Sequence, residues 1–505
     1  MILHNEFVKT AKKFSKKIAI IDKMTGVKVP YSRALIGAYI LKNKFSAYSS
    51  KYIGIMIPTS AGAMLATIGA LFAGKIPVMI NYSTGAEENS IFAMKECGFD
   101  TIITSRALLE KISCPLIPGM ICIEDIMQTV TTKDKILAAL VTKLPNFLLF
   151  SMFPKTFETD TAVILFTSGS EKDPKIVQLS HKNLYTNAKA SVEALEIYSN
   201  DIILSVLPLF HVFGIQTNFW LPLLTGMTAV TYANPLDYKN VAKIIKSEKC
   251  TMIAATPIFL SGYTRSSKPG DFETLTLVVA GADKTPEWLR EDYKTKHNID
   301  ILEGYGTTET SPVISVNRKN SNKPGSIGLP LEGVEVKITD IDSDEILPNN
   351  SEGKIYVKGD LVMKGYLNSS ENSKVIKDGW YYTGDIGLLD DDGFLWHKGR
   401  LKRFVKIGGE MVSLLKIETV LSEIITDHDI EFGVIEESCD IKGATLTAVF
   451  TKEIDRDNLI KQLGQKLPPI YIPKKYITVN ELPKMGSGKI DYRKTTEMIE
   501  ALVTK

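Results

Sequence analysis

Along most of the chain, short unbroken apolar runs alternate with longer segments whose apolar positions recur at helical spacing. Tyr52-Ile53-Gly54-Ile55-Met56-Ile57-Pro58 reads as a strand, residues 61–73 as a helix of small and apolar residues, and Lys75-Ile76-Pro77-Val78-Met79-Ile80 as the next strand. This alternation over residues 1–160 predicts a largely parallel sheet covered by helices. Residues 160–310 repeat the pattern. There Ala162-Val163-Ile164-Leu165 is a buried strand, and Ser180-His181-Lys182-Asn183 begins a helix. The stretch 202–230 is apolar but carries Pro208, His211, Asn218 and Pro222, so it reads as core around a site. Thr276-Leu277-Val278-Val279-Ala280-Gly281-Ala282 is a strand ending in small residues, which lets a ligand approach the backbone.

The pattern changes near residue 325. Short strand-like runs at 334–338 and 353–357 are separated by Gly, Asp and Asn turns, which predicts a small β-rich subdomain over about 325–400. Gly399-Arg400-Leu401-Lys402-Arg403 then introduces residues 401–505, read as a separate small domain.

Composition narrows the class. The chain has 505 residues, 44% hydrophobic and 23% charged, as in ordinary soluble proteins. A net charge of +2 gives no global attraction to nucleic acid. Cys97, Cys114, Cys122, Cys250 and Cys439 form neither a CxxC pair nor a ligand-spaced cluster with histidine, which argues against structural zinc and fits a cytoplasmic protein. The first 17 residues lack the apolar core of a signal peptide. Residues 136–153 are mostly apolar but are interrupted by Lys143, Pro145 and Asn146, too short and broken for a membrane span. They read either as a buried helix and loop or as a segment that lies peripherally on a membrane.

Four polar stretches carry chemistry. Phe166-Thr167-Ser168-Gly169-Ser170-Glu171-Lys172-Asp173-Pro174-Lys175 follows a strand. Small hydroxyl residues, Gly and Lys175 suit a phosphate-binding loop; the plainer reading is a polar turn. In Glu303-Gly304-Tyr305-Gly306-Thr307-Thr308-Glu309-Thr310, two glycines let Tyr305 present its ring to a purine. Thr307 and Thr308 can donate to phosphate, and Glu309 can hold Mg²⁺. The plainer reading is a Gly-rich turn with a packed Tyr. In Trp380-Tyr381-Tyr382-Thr383-Gly384-Asp385, Asp385 can accept from ribose hydroxyls, with Arg400 adding donors; a hairpin with a salt bridge would look the same. Pro483-Lys484-Met485-Gly486-Ser487-Gly488-Lys489 sets a lysine on a loop tip. It is no Walker A loop, because Pro483 and Ile490 stand where Gly and Ser/Thr belong.

These four stretches, in this order, resemble the acyl-activating (adenylate-forming) superfamily, which includes acyl-CoA synthetases, peptide-synthetase adenylation domains and luciferases. Within it the likeness is to the acyl-[acyl-carrier-protein] synthetases. It is carried by Thr167-Ser168-Gly169-Ser170-Glu171, Leu207-Pro208-Leu209-Phe210-His211, Glu303 to Glu309 with Ser311-Pro312-Val313, and Lys406-Ile407-Gly408-Gly409-Glu410-Met411-Val412-Ser413. The resemblance implies an α/β N-terminal domain, residues 1–400, of two doubly wound subdomains plus the β-rich one, and a mobile α+β lid at 401–505. It implies that Thr167, Ser168, Gly169, Ser170 and Lys175 hold ATP phosphates. Gly281, Ala282, Gly304, Tyr305, Gly306 and Thr307 would line the nucleotide, Thr308 would meet the α-phosphate, and Glu309 would bind Mg²⁺. Asp385 and Arg400 would hold ribose, and His211 would border the acyl and pyrophosphate region. Lys402 would be the hinge and Lys489 the adenylation lysine.

The expected activity is ATP-dependent ligation of a fatty acid, through acyl-AMP, to the thiol of acyl-carrier protein. Two alternatives stand beside it: a fatty acid–CoA ligase, and a degenerate non-catalytic nucleotide- or acyl-binding protein. Lys172 and Ile176 replace the family's usual glycines, which motivates the second, and Leu414 replaces its usual Pro. Retention of Lys175, Glu309, Asp385 and Lys489 opposes it. No His is followed five residues later by Asp, so an acyltransferase half is not expected. Basic residues bunch at Lys402, Arg403 and Lys406, at Lys474 and Lys475, and at Lys484, Lys489, Arg493 and Lys494, which suggests a rim that steers an acidic carrier protein.

Overall fold

The computed structural model describes all residues except 168–173, 408–409, 428, 440–442, 486–488 and 504–505. Among the described residues the chain divides into two compact units. One holds residues 1–335 and 358–379, the other 336–357 and 380–505.

The first unit contains two mixed sheets with parallel centres. In one, the strands run in the order Gly365–Tyr366, Ile176–Ser180, Thr161–Phe166, Ile76–Met79, Tyr52–Met56, Ile102–Thr104, Met120–Cys122. In the other the order is Leu329–Pro330, Val313–Val316, Ile301–Gly306, Leu277–Ala280, Met252–Ala255, Ile202–Ser205, Thr228–Thr231, Ile18–Asp22, Lys28–Pro30. The central pairs are parallel; the outer pairs are antiparallel except Ile102–Thr104 with Met120–Cys122, a parallel pair at one edge of the first sheet. Burial on both faces explains the near-continuous apolar strands, such as Leu277–Ala280 and Thr161–Phe166. Sheet membership does not follow chain order. Ile18–Asp22 joins the second sheet beside Thr228–Thr231, while Thr161–Phe166 joins the first beside Ile76–Met79.

The helix Ala61–Phe72 forms where expected, capped by the Ser60 side chain. The apolar stretch 202–230 breaks into a strand, a short helix Val212–Gly214, a π-helical turn Ile215–Trp220, a helix Leu221–Thr225 and a second strand. Buried Asn218 ties it together, its side chain accepting from the Leu207 amide at 2.9 Å. A helical π-turn beside such a network is a frequent mark of a functional region.

In the second unit an antiparallel meander sets Gly353 opposite Gly387, and Asp385 opposite Arg400. Beyond it come the hairpin Phe404–Ile407 with Glu410–Ser413, the helix Leu414–Ile424, and a three-stranded sheet of Phe432–Cys439, Gly443–Phe450 and Lys475–Thr478. Val434, Ala448, Phe450, Ile417 and Leu421 form its core. Of the stretch 325–400 read as β-rich, the strands Gly353–Lys358, Trp380–Leu389 and Leu395–Arg400 pair with one another, while residues 358–379 belong to the first unit.

Candidate adenylation site

The strands on either side of the expected phosphate-binding stretch pair with each other, which the sequence reading did not foresee. Thr161–Phe166 and Ile176–Ser180 pair antiparallel, with Phe166 opposite Ile176. The Thr167 amide donates to the Lys175 carbonyl at 2.9 Å, and the Lys175 amide donates to Thr167 Oγ1 at 3.1 Å. These two bonds clamp the loop's base. Ser168, Gly169, Ser170 and Lys172 lie outside the described residues. The helix begins after the second strand, at His181, with Ser180 and Asn183 forming a capping box.

Lys175 Nζ lies 2.9 Å from a Glu371 carboxylate oxygen and 5.1 Å from the Tyr366 ring centre. The Tyr366 hydroxyl donates to Glu309 Oε1 at 2.8 Å. Tyr366 is 4% exposed and Glu309 8%. One ring thus neighbours both the expected phosphate lysine and the expected Mg²⁺ carboxylate. Sequence reading missed Tyr366 and Glu371. They sit in a segment fixed by backbone bonds: Met363 donates to Glu309 O at 2.8 Å, and Leu367 donates to Ile176 O at 2.8 Å. Asn372 closes its turn, accepting from the Tyr366 amide at 2.7 Å and donating to its carbonyl at 2.9 Å.

The purine-stacking stretch ends the strand Ile301–Gly306, opposite Val313–Val316. At Gly306 an added Cβ would fall 1.9 Å from Pro312 O, so no larger residue fits without moving the backbone. Gly281 follows the neighbouring strand, and a Cβ there would meet the Phe213 ring at 3.2 Å. Ala282 has φ of +73°, a left-handed turn that ends the strand abruptly. Thr307 is buried and bonded to Thr310 Oγ1 at 3.1 Å. Its hydroxyl therefore holds the turn, while Thr308 is the half-exposed hydroxyl of the pair. Behind the turn, burial pushes the Glu303 carboxyl up, opposed by the Gly325 amide at 2.8 Å and by Arg290. His211 Nδ1 accepts from the Phe213 amide at 3.3 Å, fixing the short helix whose Phe213 ring flanks Gly281.

In the second unit Arg400 Nε approaches Asp385 Oδ1 at 3.4 Å, and His397 Nε2 reaches the same oxygen at 3.5 Å. The expected ribose pair is thus assembled, with His397 a member that the sequence did not flag. Lys402 sits in the 3-10 turn Leu401–Arg403. The Lys489 carbonyl accepts from the Met485 amide at 2.7 Å, while residues 486–488 lie outside the description.

Four residues of the expected basic rim are ion-paired. Arg403 bonds Glu418 at 2.6 Å and lies 3.5 Å from the Tyr492 ring centre. Lys484 bonds Glu431 at 2.5 Å, Lys475 pairs with Glu437, and Arg493 approaches Glu497 at 3.9 Å.

The parallel-centred α/β architecture matches that of adenylate-forming enzymes. The chain belongs to the AMP-binding enzyme family, whose match covers residues 7–367. It is 27% identical to "4-coumarate--CoA ligase 1" of Petroselinum crispum, over 97% of this chain and 92% of that one. It is 28% identical to "Long-chain-fatty-acid--CoA ligase" of Bacillus subtilis (strain 168), over 88% of this chain and 85% of that one. The fold superimposes on ATP-bound MatB from Rhodopseudomonas palustris with a TM-score of 0.86 at 21% identity, covering 99% of this chain and all of the other.

Proposed function

We propose that this chain is an ATP-dependent fatty acid–thiol ligase that uses acyl-carrier protein as acceptor. The observation that supports it most is the Lys175–Tyr366–Glu309 group beside the clamped loop. In the first step a carboxylate oxygen of the acid attacks the α-phosphorus of ATP. The bond from that phosphorus to the bridging oxygen breaks, and pyrophosphate leaves with the electron pair. In the second, a thiol attacks the acyl carbon, the carbon–oxygen bond to AMP breaks, and the thiol proton passes to solvent.

Two anions must meet in the first step, so positive charge is required. Lys175 supplies it at the phosphates, and Thr167 fixes the lysine's backbone. Tyr366 orients the Glu309 carboxylate. One such carboxylate together with substrate phosphates is a donor set that suits Mg²⁺, and the bound ion would neutralise charge at the phosphates. Thr308 meets the α-phosphate, Tyr305 stacks on adenine beside Gly281 and Ala282, and Asp385 with Arg400 holds ribose. His211 borders the acyl group. Lys489 is assigned to the first step and Lys402 to the hinge of a C-terminal lid at 401–505, roles that rest on the order of the motifs.

The fatty acid reading draws support from the long-chain relative. Acyl-carrier protein draws its support chiefly from the likeness at 406–413, because ion pairs at Arg403, Lys475, Lys484 and Arg493 weaken the steering charge of the basic rim. Coenzyme A is the second reading, favoured by the names of both curated relatives. The test is pyrophosphate release and thioester formation with a panel of acids, comparing kcat/KM for carrier protein and CoA. A clear advantage for CoA would overturn the acceptor assignment, and no pyrophosphate with any acid would overturn the ligase.

A further inference from the structure

The two short helices Thr132–Val141 and Asn146–Ser151 each bury one side only. Ala138, Val141 and Leu149 point inward, and Phe153, just beyond, stacks on Phe72 at 4.4 Å between ring centres. The other side is apolar and open to solvent: Leu140 is 60% exposed and Phe147 71%, with Ile136, Leu137, Leu148 and Met152 exposed beside them in sequence. Isolated exposed apolar residues are ordinary, but six within 17 residues mark an interaction surface.

The charges around them indicate the partner. Lys133, Lys135, Lys143 and Lys155 are all exposed. The single acid among residues 132–157 is Asp134. Its carboxylate accepts from the Thr131 amide at 2.9 Å and lies 3.6 Å from Lys44, so it is already compensated. Lys155 Nζ lies 5.0 Å from the Phe157 ring centre, its stem beside an exposed ring. Lysines flanking an apolar face can sink their stems along it and keep their ammonium groups at the surface. Among the described residues no helix is long and apolar enough to cross a membrane.

We propose that this face docks the protein on an anionic lipid surface, with Phe147, Leu148 and Leu140 entering the headgroup boundary and the four lysines meeting lipid phosphates. A second copy fits less well, because a twofold contact through this face would bring like-charged lysines together. The inference rests on this surface alone and stands whichever acid or thiol the site uses.

The test is co-sedimentation of the full chain with phosphatidylcholine vesicles, with and without phosphatidylglycerol, at low and high salt. The chain is expected to bind the anionic vesicles at least about tenfold more tightly than the neutral ones, and salt should erode the difference. Phe147→Glu with Leu148→Glu, and separately Ile136→Glu with Leu140→Glu, should each lower binding at least about tenfold. These side chains are exposed, so thermal unfolding should be unchanged and the loss is not one of folding. Lys143→Gln with Lys155→Gln should reduce the preference for phosphatidylglycerol while leaving weak neutral binding. Absence of vesicle binding, equal binding by the Glu variants, or self-association that the Glu variants abolish would each overturn the proposal.

Discussion

Replacing Tyr366 by Phe removes one oxygen from the centre of the candidate site and leaves the ring in place. The lost contact is the 2.8 Å bond to Glu309, made between two buried side chains. Hydrogen bonds to charged groups contribute about 1.5–3 kcal/mol, and a buried carboxylate that loses a donor bears that cost directly. If Glu309 must be held in one orientation for Mg·ATP, the cost appears as a loss in kcat/KM for ATP of about tenfold to about a hundredfold. The Mg²⁺ concentration for half-maximal rate should rise, and the KM for the acid should not move. Lys175 still faces an aromatic ring, so the phosphate contribution from that side persists. The assay is initial-rate pyrophosphate release, titrating ATP at several Mg²⁺ concentrations with wild type and Tyr366→Phe. Unchanged ATP and Mg²⁺ dependence in a variant that unfolds like wild type would refute the reasoning, because the hydroxyl would then serve only packing.

Lys489→Ala should abolish adenylation yet retain thioester formation from preformed acyl adenylate, and equal loss of both steps would make Lys489 structural. Acid should destabilise the first unit through His181. Burial pulls its pKa from the usual 6.5 down to about 4, with Asp160 opposing and the N-terminal amine assisting. The unfolded chain binds the proton first, so stability present above about 6.5 is lost as pH falls toward about 4, on the order of 3 kcal/mol. His4, 5.3 Å away between ring centres and also shifted downward, adds to the same slope. Denaturant titrations at several pH values should flatten in His181→Gln, and an unchanged slope would count against this account.

Much of the fold was legible because it is local. Helix 61–73, the strands at 52–58 and 75–80, and the Ser180 cap follow from apolar spacing and one hydroxyl. The assignment of Ile18–Asp22 to the far sheet was not legible, because its partner Thr228–Thr231 lies some two hundred residues away and no pattern encodes that pairing. The pairing of Thr161–Phe166 with Ile176–Ser180 was hidden because Ile176–Ser180 is too short to separate from a loop preceding a helix. Candidate site residues were proposed where polar and glycine residues interrupt apolar runs. Tyr366 and Glu371 escaped because an ordinary-looking Gly-Tyr-Leu-Asn turn gains its meaning only from Glu309 and Lys175 in distant segments. His397 had a fainter signal: it lies on the same strand as Arg400, three residues before it. Arg403 was read as free steering charge, whereas Glu418 and Tyr492 hold it.

If Lys175 receives phosphate as proposed, its ion pair with Glu371 sets an entry threshold. An incoming anion must displace a carboxylate already 2.9 Å from the lysine. Both side chains are partly exposed, so the pair contributes no more than about 1 kcal/mol. That is enough to discriminate by valence: a singly charged anion gains little by the exchange, whereas a polyphosphate brings several charges for the one it replaces. Glu371→Gln should then improve inhibition by inorganic phosphate more than inhibition by pyrophosphate. Equal changes for both would show that the pair filters nothing. A carboxylate that contributes little to stability would in this way set which anions in a crowded solution reach the lysine at all.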